Sequence, residues 1–83
     1  MPNAVTIYTT PACRQCTMTK NWLTKNAIPF EAVDLTQSPE SAELVRELGY
    51  TSAPVVVISG GPDEGMHWFG FRPDLLATLA DAA

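Results

Sequence analysis

Pro54-Val55-Val56-Val57-Ile58 is an unbroken apolar run, mostly β-branched. Side chains of a strand alternate between its two faces, so such a run is satisfied only where both faces are buried. The rest of the chain must therefore supply neighbouring strands and a covering layer on each side. The remaining segments do this in an alternating order. Ala4-Val5-Thr6-Ile7-Tyr8-Thr9 is β-branched and aromatic and reads as a strand, broken by Thr10-Pro11-Ala12. From Cys13 to about Asn26 the residues favour helix, with Cys16, Lys20, Leu23 and Ala27 near one stripe. Phe30-Glu31-Ala32-Val33-Asp34 alternates after Pro29 and reads as a second strand. Ser38-Pro39-Glu40 is a helix start: a Ser N-cap, Pro at the first position and an acid at the positive dipole end. Ala42, Val45 and Leu48 follow at helical spacing, and Gly49 ends that helix.

After the apolar run, Ser59-Gly60-Gly61-Pro62-Asp63-Glu64-Gly65 reads as a hairpin loop, and Met66-His67-Trp68-Phe69 as the returning antiparallel strand. Pro73 opens a last helix, with Asp74 in its first turn and Leu75, Leu76 and Leu79 as its apolar face. The order is β-α-β-α-β-β-α. Right-handed crossovers make the first two strands parallel and put helices over the sheet. This predicts an α/β thioredoxin fold, a four-stranded mixed sheet flanked by three helices.

At 83 residues the chain is expected to be one domain, residues 1–83. Its net charge of −4 and scattered Lys and Arg argue against nucleic acid or an anionic membrane as partner. The segment Met1-Pro2-Asn3-Ala4-Val5 has no basic n-region or separate apolar h-region, and no apolar stretch approaches a membrane span. A cytoplasmic location is the expectation, and a monomer. In a reducing compartment two cysteines three positions apart are not a structural staple. A bridge over so short a loop would also remove little unfolded-state entropy.

Cys13-Arg14-Gln15-Cys16 falls where the first strand ends and a helix begins. Backbone N–H groups and the helix dipole at that end favour a thiolate on Cys13, and Arg14 adds a positive charge. Cys16, one turn further in, is expected to be more buried. Cys13 is then the nucleophile, and Cys16 attacks the resulting mixed disulfide. Half a zinc site is the competing reading, but a structural site needs four ligands and the chain offers two cysteines and His67. The second signal is Thr51-Ser52-Ala53-Pro54-Val55. Proline donates no ladder hydrogen bond, so its place at the start of a buried strand predicts a cis Ala53–Pro54 bond, with backbone groups turned toward the cysteines. Among other residues, Trp22 reads as half-buried packing, His67 as solvated surface, and Met18 as filler. Glu40, Glu43 and Glu47 read as one solvated helix face. Arg72 and Asp74 read as a surface pair at a helix start, about the turn at Pro73.

On these residues the chain resembles the thioredoxin superfamily, with its C-x-x-C after the first strand and its cis proline. Cys13-Arg14-Gln15-Cys16 together with Trp68-Phe69-Gly70-Phe71-Arg72-Pro73-Asp74 is similar to the NrdH-type redoxins. The resemblance spans nearly the whole chain, and the Trp-x-Gly-Phe-Arg-Pro-Asp stretch is its specific part. It implies a dithiol–disulfide oxidoreductase that donates electrons to ribonucleotide reductase and is recharged by NADPH through thioredoxin reductase. No cofactor is bound by the chain itself. The resemblance implies catalytic roles for Cys13 and Cys16, and partner-binding roles for Pro11, Ala12, Arg14, Gln15, Ser52, Ala53, Pro54, Phe69, Gly70, Phe71, Arg72 and Asp74.

Two departures from the family pattern bear on this reading. Arg14 stands where the family usually has Val, which affects reactivity and partner choice. Phe69 stands where it usually has Ser, which affects packing beside the cysteines. Glutathione-dependent glutaredoxins carry Gly-Gly near the last helix, and Phe69-Gly70-Phe71-Arg72 is expected to wall the equivalent cleft and exclude glutathione. A protein reductase needs instead an apolar surface around Cys13, for which Pro11, Ala12, Ala53, Pro54 and Phe71 are the candidates. The alternatives are a glutathione-dependent glutaredoxin and a carrier binding an iron–sulfur cluster or zinc between two chains.

Overall fold

The computed structural model describes residues 3–82, with side chains through residue 79. In chain order the elements are β1 (Ala4–Thr9), α1 (Arg14–Lys25), β2 (Phe30–Asp34), α2 (Pro39–Glu47), β3 (Val55–Ser59), β4 (His67–Phe69) and α3 (Pro73–Ala82). The sheet order is β2-β1-β3-β4. β1 and β2 are parallel, in register Val5 to Phe30 through Thr9 to Asp34. β3 lies antiparallel to both β1 and β4. This is the expected thioredoxin fold.

The apolar run behaves as its composition requires. Val55, Val56 and Ile58 are buried, and β3 occupies an interior position in the sheet. One face joins α1 and α3 in a core of Val5, Ile7, Leu23, Val56, Ile58, Trp68, Leu76 and Leu79. Leu23 and Leu76 are fully buried there, each contributing about 1.5–3 kcal/mol of apolar transfer. The other face is smaller: Tyr8, Val45 and Val55, with Val33, Leu35, Tyr50 and Val57 packed against them. Trp22 is half-buried against the larger core, as expected from the usual burial of Trp.

Four details differ from the sequence expectations. The buried stripe of α1 is Cys16, Thr19 and Leu23, so Thr19 replaces Lys20 in it. Thr19 tolerates burial because its hydroxyl donates to the Gln15 carbonyl at 2.8 Å. Ala27 lies beyond α1, exposed and left-handed at φ 57°. Met18 is 42% exposed rather than core filler, because two residues past Cys16 the helix has turned its side chain away from the core. β3 begins at Val55, not Pro54, and β4 at His67, not Met66. Pro54 has no N–H for the ladder, while the hairpin closes beyond β4 through bonds between Ile58 and both Gly65 and Met66 at 2.9 Å.

The caps follow the local chemistry. Ser38 accepts from the Ser41 N–H at 3.3 Å ahead of Pro39, a cap worth about 1 kcal/mol. Glu40, Glu43 and Glu47 all face solvent. No helix among the described residues is long and apolar enough to cross a membrane.

Candidate active site

β1 delivers the chain to Thr10-Pro11-Ala12, which turns it into α1. Ala12 takes a left-handed backbone at φ 58°, a conformation that disfavours a Cβ by about 1–2 kcal/mol. Nothing in the sequence signals it, since Gly or Asn would be the ordinary choice there. The turn places Cys13 as the N-cap of α1, with extended backbone at φ −98° and ψ 107°. Its Sγ takes the role usually filled by a hydroxyl or carboxylate oxygen: the Cys16 N–H donates to it at 3.1 Å. A negative charge on that sulfur would face the unpaired N–H groups and the positive end of the helix dipole.

Cys13 and Cys16 are joined in a disulfide, with Cα atoms 5.2 Å apart. The two sulfurs are not equivalent. Cys16 is 2% exposed, while Cys13 is partly open to solvent at the rim. Among the described residues no group of three or more His, Cys, Asp and Glu could hold a metal ion.

On one side the cysteines are knitted to the rest of the fold. The Phe71 N–H donates to Gln15 Oε1 at 3.1 Å. The preceding N–H, of Gly70, donates to the Pro54 carbonyl at 2.9 Å. Gly70 is buried at φ 87°, and a Cβ there would lie 3.2 Å from Gln15 Oε1. The start of α1, the 70–71 turn and the Pro54 loop are therefore joined through Gln15 and Gly70. The Ala53–Pro54 bond is cis, as expected. Next along the chain, Arg72 Nε and Nη2 bond both carboxylate oxygens of Asp74 at 3.1 and 3.0 Å. The hydrogen bond and charge of Arg72 hold the Asp74 carboxyl below the ordinary carboxylate range.

The other side is an open cleft of about 630 Å³. Pro11, Ala12, Cys13 and Arg14 line it, together with Met18, Lys20 and Asp34, which carried no site assignment in the sequence. Asp34 Oδ1 accepts from the Thr36 hydroxyl at 2.6 Å and from its N–H at 2.8 Å, which lowers the Asp34 pKa. The spacing Asp34-x-Thr36 is the one local signal that could have found this turn.

These placements revise two expectations. Phe69 does not wall the cleft beside Cys13. Its ring, 43% exposed, stacks on Tyr50 at 6.5 Å and lines a small hollow with Gly49, Thr51 and Ser52. Strand alternation explains this: Trp68 enters the larger core, so Phe69 and His67 point to the opposite face. The expected apolar surface is also divided. Pro11 and Ala12 are exposed and Ala53 half-buried, but Pro54 is buried and Phe71 packs against the larger core. His67 is exposed, and its Nδ1 lies 2.8 Å from the Tyr50 hydroxyl.

The fold and the disulfide at the head of α1 can be set beside known proteins. The glutaredoxin family model matches residues 5–61. The glutaredoxin-like protein NrdH of Lactococcus lactis is 38% identical over 76 residues, covering 92% of this chain and 99% of that one. Its counterpart in Escherichia coli is 36% identical over 78 residues, covering 94% and 90%. This chain belongs to the glutaredoxin-like NrdH redoxins. The solved NrdH-redoxin of Escherichia coli superposes with a TM-score of 0.81 at 37% identity, covering 92% of this chain and 93% of that one. That structure was described as the basis of a thioredoxin-like activity profile in the Escherichia coli protein. The redoxin is thus a thiol–disulfide oxidoreductase, with its redox-active disulfide between Cys13 and Cys16.

Proposed function

We propose that this redoxin reduces protein disulfides, ribonucleotide reductase foremost, and is itself recharged by NADPH through thioredoxin reductase. It works as a single-domain cytoplasmic electron carrier, in monomeric form. The observation that carries the reading is the asymmetry of the pair: Cys13 at the rim and capping α1, Cys16 buried one turn behind it.

In the dithiol form, the Cys13 thiolate attacks one sulfur of the substrate disulfide. A Cys13–substrate bond forms, the substrate S–S bond breaks, and one substrate thiolate leaves. Cys16, deprotonated, then attacks Cys13 Sγ. The Cys13–Cys16 bond forms as the second substrate thiolate is released. Two electrons have passed to the substrate, and the redoxin is left in the disulfide form. Thioredoxin reductase, fed by NADPH, returns the two electrons. The roles of Pro11, Ala12, Ser52, Ala53 and Pro54 are to form the contact surface around this exchange, and Gln15, Gly70, Phe71, Arg72 and Asp74 hold its rim in place. Phe69 belongs to the outer margin of that surface, beside Thr51 and Ser52.

The thioredoxin-like profile of the Escherichia coli relative supports thioredoxin reductase over glutathione as donor. The test is NADPH oxidation against one disulfide substrate, with thioredoxin reductase in one arm and glutathione with its reductase in the other. Faster turnover with thioredoxin reductase is expected. Faster turnover with glutathione would make the chain a glutathione-dependent glutaredoxin. A brown, dimeric preparation would point instead to a cluster carrier.

A further inference from the structure

Charge is unevenly distributed over this molecule. The chain has nine Asp and Glu against five Lys and Arg, yet the cleft beside Cys13 is lined by Arg14 and Lys20, with Asp34 as its one acid. The adjoining hollow shares Thr10 with the cleft and adds Arg46 without any acid. Among the described residues the one ion pair is Arg72–Asp74, so Arg14, Lys20 and Arg46 have no carboxylate at pairing distance. Asp34 is already engaged by both donors of Thr36 at the end of β2. Unpaired cations along a concave surface focus a positive potential that draws anionic groups. An acidic chain that keeps its cations unpaired beside the reactive sulfur leaves them for a ligand to neutralise.

The geometry narrows the ligand. Arg14 and Lys20 are separated by ~9 Å along the axis of α1. An extended polypeptide advances about 3.3 Å per residue, so acids about three residues apart match that axial separation along the cleft both cations border. The cleft, about 630 Å³ and open to solvent, has room for an extended chain.

We propose that Arg14 and Lys20 form a cationic rim that selects substrate disulfides flanked by acidic residues of an extended polypeptide segment. Arg14, adjacent to Cys13, is the specificity-determining residue, and Lys20 extends its reach along the cleft. The proposal rests on the disulfide-reductase reading above.

A single-turnover experiment separates the two. The pre-reduced redoxin is mixed with disulfide-closed peptides that are identical except for Glu or Gln beside the cystine, and the rate ratio is read. Taking the ratio cancels any effect of Arg14 on the Cys13 thiolate itself. At low salt the acidic peptide should react faster by about threefold or more, and the advantage should shrink as salt rises. Arg14→Gln with Lys20→Gln should bring the ratio to about one, and Arg14→Glu should invert it. A ratio near one in the unmodified redoxin, or one indifferent to these variants, overturns the proposal. Faster reduction of oxidised glutathione than of the acidic peptide, with the same dependence on Arg14 and Lys20, assigns the rim to a small anionic disulfide and overturns it too. Failure to reduce even the Gln peptide would overturn the reductase reading, and this proposal with it.

Discussion

The two flanks of the Cys13–Cys16 pair are built differently. On one flank, Gln15 receives the Phe71 N–H, Gly70 donates to Pro54, and Arg72 grips Asp74 with two bonds. On the other, Arg14, Met18 and Lys20 border an open cleft, and among the described residues neither cation is ion-paired. The bonded flank fixes where the sulfurs sit. The open flank leaves room for a second molecule. An exchange reaction needs both, because an incoming disulfide must approach one sulfur while the other keeps its place.

The sharpest way to break this comparison is at the sulfurs. Cys13→Ser should abolish turnover and trap nothing, because the rim nucleophile is gone. Cys16→Ser should accumulate a mixed disulfide between Cys13 and the target, visible on non-reducing gels. Equal trapping by both variants would mean that the exposed and buried sulfurs do not divide the work.

A smaller effect is expected on the bonded flank. Gly70→Ala forces a side chain into φ 87° and within 3.2 Å of Gln15 Oε1. It should destabilise the fold by about 1–3 kcal/mol, read from the denaturant midpoint. Part of that loss should be recovered in a Gln15→Ala background, where the crowded atom is absent. Simple additivity of the two substitutions would show that Gly70 and Gln15 do not meet.

Gln15→Ala alone should be milder, about 0.5–1.5 kcal/mol, since it removes one hydrogen bond at an exposed site. Its more informative readout is amide exchange at Phe71, which should speed up while Leu23 in the larger core is unchanged. Unaltered Phe71 exchange would place the hold on the 70–71 turn elsewhere.

The smallest expected effect is a pH dependence shared by both flanks. Asp74, bonded by Arg72, and Asp34, bonded by Thr36, have carboxyls held below their ordinary range. Each contributes stability that is present above the unfolded carboxylate pKa and is lost as pH falls through the lowered folded value. Stability should therefore decline on the acid side, and Asp74→Asn or Asp34→Asn should each flatten that decline slightly. Asp74 is exposed and Asp34 half-buried at the cleft, and both effects are small, so acid melting curves must be compared variant by variant. Steepening of the decline in either variant would contradict the assigned partners.

The sequence by itself determined the elements, their order and the reactive pair. β-branched runs, the Ser38-Pro39-Glu40 start, Gly49 and Pro73 are local signals, and their physics acts within a few residues. The exposure difference between Cys13 and Cys16 followed for the same reason: a helix start fixes which residue caps and which turns inward. Tertiary structure decided what lies beside the pair. Gln15 is 56 residues from Phe71 in sequence, and Lys20 and Asp34 share a cleft only because β2 runs parallel to β1 beside the head of α1. Phe69 shows the limit most plainly. Its place where glutaredoxins carry Gly suggested a wall near the cysteines, but alternation along β4 sends Trp68 and Phe69 to opposite faces, and only the sheet fixes which ring faces which way.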